Sequence, residues 1–171
     1  EWNSYVEETL ETPSVAAKGR RLSGGEAKST PMPLDAIRVE AGYRHRTGIG
    51  EFDRVLGGGI VPGAAILIGG DPGIGKSTLL LQALHRLSTA SKEVFLYVTG
   101  EESPQQVKLR AERLGLASER LMVYAETDVH AVLEALERIK PAVTVVDSIQ
   151  TLYLPELASA PGSVSQIRES A

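Results

Sequence analysis

The ten residues Gly69-Gly70-Asp71-Pro72-Gly73-Ile74-Gly75-Lys76-Ser77-Thr78 constrain this chain more than any other stretch. From Gly70 to Ser77 they fit the phosphate-loop pattern G-x-x-x-x-G-K-[ST]. The apolar run Ala64-Ala65-Ile66-Leu67-Ile68 stands before them and reads as a strand. Leu79-Leu80-Leu81-Gln82-Ala83-Leu84 comes after them and reads as the opening of an apolar helix. Strand, glycine turn and helix in that order is the setting the pattern requires. Glycine lets backbone N–H groups turn inward with no Cβ in the way, and the helix N-terminus adds unpaired donors and a positive dipole end. Gly70, Asp71, Pro72, Gly73, Ile74, Gly75, Lys76, Ser77 and Thr78 are therefore expected to cradle the phosphates of a nucleoside triphosphate. Lys76 would reach the β- and γ-phosphates and the Ser77 hydroxyl would ligate Mg²⁺. The plainer alternative is a glycine-rich turn with no ligand.

Beyond the loop, strand and helix signals alternate. Val94-Phe95-Leu96-Tyr97-Val98, Leu121-Met122-Val123-Tyr124-Ala125 and Val143-Thr144-Val145-Val146-Asp147 are strand-length apolar runs. The helix after the loop is apolar nearly all round, with Leu79, Leu80, Leu81, Ala83, Leu84 and Leu87, which predicts burial against a sheet. Ser103-Pro104-Gln105-Gln106 is a capping box with proline at the first helical position. Its helix would bury Val107, Ala111 and Leu114, expose Lys108, Arg110 and Arg113, and end at Gly115. Asp128 can cap a further helix with Val129, Val132, Leu133, Leu136 and Ile139 on one face, closed by Pro141. Strands and helices in this order predict an α/β fold, a mostly parallel sheet with helices on both faces.

Upstream the signals are weaker. Thr47 is placed to cap a short helix over residues 49–56, with Ile49, Phe52, Val55 and Leu56 as its apolar face, stopped by Gly57-Gly58-Gly59. Pro62-Gly63 turns the chain into the strand before the loop. Ala36-Ile37-Arg38-Val39 alternates as a short edge strand would. Residues 12–33 are rich in Ala, Gly, Ser and Pro and read as a linker, so the domain proper is expected over residues 36–171 and a remnant plus flexible linker over 1–35. Lys18, Arg20, Arg21 and Lys28 in that linker are either solvated or brush a phosphate backbone; Trp2 reads as a packing residue.

Composition sets bounds. A chain of 171 residues suffices for one domain that buries about 70% of its unfolded surface. Eight aromatic residues (one Trp, five Tyr, two Phe) point to a core of Leu, Ile, Val and Ala. The net charge of −4 provides no global field to attract nucleic acid, so any such contact must come from a local patch or from several copies together. With no cysteine the chain has no disulfide, thiol nucleophile or cysteine-ligated zinc, and a reducing compartment is the expectation. No apolar run reaches membrane-spanning length and no charged-then-apolar leader is visible, so a cytoplasmic location is expected, with no membrane partner.

Hydrolysis of a phosphoanhydride needs a metal holder and a group that positions the attacking water. Asp147 ends an apolar strand, where the second metal-site acid of a phosphate-loop enzyme belongs; the alternative is an N-cap. Thr99-Gly100-Glu101-Glu102-Ser103 lies at the tip of a neighbouring strand, the edge where open α/β sheets bind ligands. Two adjacent acids on a turn point different ways, so one of Glu101 and Glu102 at most is the base, unless both only favour the dipole of the helix behind them. Gln150 either senses the γ-phosphate or is a surface residue. Beyond it, residues 153–162 form a loop rich in Pro, Ala and Ser, and Ser163-Val164-Ser165-Gln166 restarts a helix as another capping box. Arg168 is that helix's one cation, and its chemistry alone does not mark a nucleic-acid site.

Taken together these segments carry a resemblance. Arg46-Thr47-Gly48-Ile49, together with Leu56-Gly57-Gly58-Gly59-Ile60-Val61-Pro62-Gly63, is similar to the entry segment of RecA-type ATPases. The phosphate loop, Gly100-Glu101-Glu102-Ser103, Lys108-Leu109-Arg110-Ala111-Glu112-Arg113-Leu114, Asp147-Ser148-Ile149-Gln150-Thr151 and Ser159-Ala160-Pro161-Gly162-Ser163-Val164-Ser165-Gln166 together resemble the bacterial RadA (Sms) family of DNA-repair proteins over the whole chain. The resemblance implies ATP and Mg²⁺, a DNA-dependent ATPase with helicase-like branch migration of recombination intermediates, and a homo-hexameric ring on single-stranded DNA. It assigns the water-positioning role to Glu101, with Glu102 as second choice, and turns residues 153–162 and the helix start near Arg168 toward the DNA channel. A replicative-helicase-like or clock-type RecA relative, or a non-hydrolysing nucleotide-dependent DNA-binding scaffold, is the alternative.

The family's N-terminal four-cysteine zinc finger ends shortly before a Trp-Asn segment like Trp2-Asn3, and this sequence has no cysteine to match it. Its Lys-Asn-Arg-Phe-Gly motif and Lon-protease-like domain have no counterpart here, nor does the strand that in RecA folds inserts between those of the phosphate loop and of Asp147. A fragment of a longer protein is expected, one that hydrolyses ATP poorly when isolated.

Overall fold

The computed structural model describes Pro33 and residues 43–171. The expectations for Trp2, the linker cations, the strand at residues 36–39 and the domain boundary near residue 35 lie outside the described residues.

Among the described residues three parallel strands form the sheet: β1 (Phe95–Thr99), β2 (Leu121–Ala125) and β3 (Val143–Asp147), in the order β2-β1-β3. β1 lies in the middle and pairs in register with both neighbours, Thr99 standing opposite Ala125 on one side and Asp147 on the other. Every residue of β1 is buried, as a continuous apolar run requires when both faces are covered.

Side-chain alternation divides the core in two. Phe95 and Tyr97 point to the face covered by α2 (Lys76–Ala90) and α3 (Pro104–Arg113), where they pack with Leu81, Leu84, Leu87 and Val107. Leu96 and Val98 point to the opposite face, against Val129 and Val132 of α4 (Val129–Ile139) and Leu152. Each of these side chains contributes roughly 1.5–3 kcal/mol by leaving water. Although the composition is poor in aromatics, Tyr97 and Phe95 are the largest fully buried side chains among the described residues.

Local signals explain the helix ends. Ser103 Oγ accepts from the Gln106 N–H while the Gln106 side chain accepts from the Ser103 N–H, closing the expected box ahead of Pro104. Asp128 caps α4 by accepting from the His130 N–H. The buried stripe of α4 runs through Val129, Val132 and Ala135; Leu133, expected on it, is 44% exposed because it lies off that line.

α1 spans Gly50–Val55 and none of its residues is buried, contrary to the expected apolar face. The N-cap is Ile49 rather than Thr47, whose hydroxyl accepts from the Ile49 N–H at 3.2 Å just ahead of the helix. Asp53 reaches back instead, accepting from the Thr47 and Gly48 N–H groups at 2.9 Å each and from the Thr47 hydroxyl at 2.8 Å. Pro62-Gly63 makes the expected turn, closed by the Ala64 N–H donating to the Val61 carbonyl, with Gly63 at φ +76 where a side chain is disfavoured.

The strand expected at residues 64–68 is not formed. Among the described residues they pair with no ladder, and Leu67 is 88% and Ile66 42% exposed. A strand is a pairing rather than a local propensity, and the outer edge of β3 likewise has no partner among the described residues.

Candidate active site

Residues 70–75 run directly into α2, whose N-cap, Gly75, stands at φ +103 and offers no side chain to the first amides. Those amides have no intrahelical acceptor, so the helix start is available to an anion. Gly73 also has positive φ (+77), and a Cβ at either position would meet no atom within 4 Å. Lys76 Nζ folds back to donate to the carbonyls of Gly70 (2.8 Å) and Asp71 (2.9 Å). Open space, uncapped amides and a lysine across the loop fit a phosphate group. Ile74 projects outward, 72% exposed.

Asp147 ends β3 on the face that α2 covers, since it stands opposite Thr99 and so shares a side with Phe95 and Tyr97. The Tyr97 hydroxyl donates to Asp147 Oδ2. Arg110 Nη2 in turn donates to the Tyr97 oxygen at 3.0 Å and pairs with Glu102 Oε2 at 2.6 Å. The guanidinium carbon lies 5.8 Å from the Tyr97 ring centroid. Burial first, and then the adjacent Asp147 carboxylate, push the Tyr97 phenol far above its ordinary range, so it stays a protonated donor.

Arg110 is thus not the exposed helix cation that the α3 pattern suggested; its side chain is 20% exposed and turned inward. Neither Arg110 nor Tyr97 was expected at the site. Glu102 precedes α3 and Arg110 lies two turns into it, so no i,i+4 spacing links them. The available signal was the tyrosine in a fully buried strand, whose hydroxyl must find a partner.

The two glutamates separate. Glu102 is held by Arg110, and its N–H donates to Thr99 Oγ1 at 3.1 Å. Glu101 is exposed and accepts from the Ser148 hydroxyl, next to Asp147, at 3.2 Å. A cleft of about 320 Å³ opens at the tips of β1 and β2, lined by residues 99–103 with Glu126 and Thr127. None of its lining residues comes from the loop 70–78. Among the described residues no three His, Cys, Asp or Glu side chains gather as a metal site. A hydroxyl such as that of Ser77 and one acid, completed by nucleotide oxygens and water, would be a leaner donor set. Gln150 lies exposed in the 3-10 turn Ile149–Thr151.

Downstream, α5 (Val164–Ser170) starts at Ser163, whose hydroxyl accepts from the Gln166 N–H. The second half of the expected capping box is missing because the Gln166 carboxamide is used elsewhere. It accepts from the Leu154 N–H and donates to the carbonyls of Leu154, Leu157 and Ser159, buried to 1% exposure. Residues 154–159 are therefore tied to α5 rather than loose.

Residues 45–129 match the family described as ATPase: KaiC. The chain carries a KaiC-type ATPase domain of RecA-like fold. Over its whole length it is also similar to DNA repair protein RadA. Identity to that of Halalkalibacterium halodurans is 49% over 170 residues, covering 98% of this chain and 36% of the relative. It is 48% to that of Bacillus subtilis (98% and 36%) and 50% to that of Listeria monocytogenes (99% and 36%). The chain thus spans 36% of the length of these relatives. The KaiC-type domain holds the phosphate loop, Glu101 and Arg110 within the matched residues, and Asp147 lies beyond them. No helix among the described residues is long and apolar enough to cross a membrane.

Proposed function

We propose that this chain is the nucleotide-hydrolysing part of a DNA-repair ATPase of the RadA type, which couples ATP hydrolysis to movement on single-stranded DNA and to branch migration of recombination intermediates. One observation carries the assignment of its chemistry: Glu102 is committed to Arg110 at 2.6 Å while Glu101 stands exposed with the Ser148 hydroxyl as its partner. Glu101 is then the carboxylate free to orient a water and draw its proton, and Glu102 is structural.

The loop residues Gly70, Asp71, Pro72, Gly73, Ile74, Gly75 and Thr78 surround the phosphates, and Lys76 leaves the carbonyls of Gly70 and Asp71 to reach the β- and γ-oxygens. Ser77 and Asp147 would hold Mg²⁺, with the Tyr97 hydroxyl donating to Asp147 Oδ2. Bound Mg²⁺ would offset the charge that develops on the phosphate oxygens during transfer. Gln150, on the turn after Asp147, senses the γ-phosphate.

Residues 153–162, fixed by Gln166, and Arg168 on α5 face the DNA, and the intact protein works as a homo-hexamer. A clock-type reading draws support from the family that matches residues 45–129, but the similarity to RadA covers 98% of the chain, Asp147 included. A purely nucleotide-binding scaffold would have no use for a free carboxylate at Glu101.

ATP hydrolysis by the intact protein, with and without single-stranded DNA, tests the reading beside Lys76→Ala. Stimulation by DNA and its loss in the variant are expected. A rate indifferent to DNA would remove the translocase assignment.

A further inference from the structure

We propose that Arg110 is a positioning residue for the metal-site acid, acting through the Tyr97 hydroxyl and anchored by Glu102. This rests on the reading of Asp147 as a Mg²⁺ holder. The chain of contacts is continuous: Glu102 Oε2 to Arg110 Nη2 at 2.6 Å, the same nitrogen to the Tyr97 oxygen at 3.0 Å, and the Tyr97 hydroxyl to Asp147 Oδ2. A carboxylate at the end of a strand rotates about its last bond unless something fixes it. Tyr97 is fully buried and shares a sheet face with Asp147, so its hydroxyl has little freedom of its own. Its donation occupies Oδ2 and fixes the plane of the carboxylate, leaving Oδ1 for the ion that Asp147 would hold. Outer partners of this kind set the orientation and basicity of a metal-binding carboxylate.

The placement of Arg110 is not what packing alone would select. Its Nε is buried with no hydrogen-bond partner, so the guanidinium satisfies the Glu102 and Tyr97 contacts while one donor goes unpaired. An arginine serving only as a helix-surface cation would leave all its donors in water. Arg110 instead braces a tyrosine, and the tyrosine's other contact is Asp147. The same arrangement explains how two adjacent glutamates divide their work: Glu102 anchors the brace, and Glu101 is left for the chemistry. It also ties the orientation of α3 to the metal site, because Arg110 lies on α3 and Asp147 on β3.

The test is equilibrium binding of a fluorescent ADP analogue to the intact protein, titrated with Mg²⁺, for wild type, Tyr97→Phe, Arg110→Lys, Glu102→Gln and the Tyr97→Phe/Arg110→Lys double variant. Thermal unfolding is recorded beside it. The Mg²⁺ concentration that gives half-maximal tightening should rise roughly 10–100-fold in Tyr97→Phe, the usual effect of removing an outer partner of a metal-site carboxylate. Affinity without Mg²⁺ should stay at the wild-type level. If Arg110 works through Tyr97, the double variant shifts no further than Tyr97→Phe alone. A Mg²⁺ dependence unchanged in Tyr97→Phe and Arg110→Lys, or effects that multiply in the double variant, overturns the proposal. A wild type whose nucleotide binding ignores Mg²⁺ overturns instead the reading of Asp147 on which it rests.

Discussion

Arg110 Nη2 lies 2.6 Å from Glu102 Oε2, with 20% and 32% of the two side chains exposed. A pair this sheltered is screened less than a surface pair, and removing one partner strands the other. Glu102→Gln should therefore lower the unfolding free energy by about 1–3 kcal/mol, between the effects of exposed and fully buried pairs. Urea denaturation checks it. An unchanged midpoint would show that the ion pair adds nothing to the folded state.

Gly100 sits where no side chain fits. A Cβ there would lie 2.1 Å from Thr151 Oγ1, 2.5 Å from Thr151 Cβ and 2.9 Å from Thr127 Cγ2. Gly100→Ala must push the turn at Ile149–Thr151 away from the tip of β1. It should cost about 1–3 kcal/mol, the usual range for overpacking. Thr151→Ala in the same chain should recover part of that loss, because the nearest atom is gone. Thermal denaturation of both variants measures it.

Gln166 joins α5 to residues 154–159 through four carboxamide contacts. Gln166→Leu keeps the bulk but leaves the part-buried Leu154 N–H without an acceptor. We expect a loss of about 1 kcal/mol, the low end of the cost of an unsatisfied buried donor. The Leu154 amide should lose hydrogen-exchange protection while the amides of β1 keep theirs.

Burial works to raise the Asp53 carboxyl, but the hydrogen bonds from Thr47 and Gly48, helped by Arg46, outweigh it and hold it below the usual aspartate range. A folded-state pKa below the unfolded one stabilises above the unfolded value of about 3.9 and is lost as pH falls through the folded value. The stability gap between wild type and Asp53→Asn should therefore be constant near neutral pH and shrink below about pH 4. A gap that widened on acidification would contradict the assigned direction.

How much of the molecule was legible in the sequence depends on which interactions are local. The Ser103 box, the Asp128 cap and the strands at 121–125 and 143–147 depend on neighbours a few residues away or on runs of apolar residues, and each is where its pattern put it, while the run expected at 94–98 forms its strand one residue on, at 95–99. Residues 64–68 have an equally good strand composition but pair with no strand among the described residues, because pairing depends on a distant segment. Arg110 read as a surface cation for a similar reason: its partners, Glu102 and Tyr97, come from a turn and a strand outside its own helix. Gln166 fits a capping box by spacing, yet the carbonyls of residues 154–159 compete for its side chain and win. Asp147 was legible as the end of an apolar strand; the Tyr97 and Arg110 contacts behind it were not.

Glu101 as the carboxylate that positions the attacking water is tested most directly by single-turnover hydrolysis of ATP on single-stranded DNA. The intact protein would be compared with Glu101→Gln and Glu102→Gln. Glu101→Gln should bind ATP as wild type does and hydrolyse it at least about 100-fold more slowly, the scale of a lost general base. Glu102→Gln should stay within about tenfold of wild type, since its charge braces rather than reacts. Hydrolysis at the wild-type rate by Glu101→Gln, or the larger loss in Glu102→Gln, would contradict the assignment.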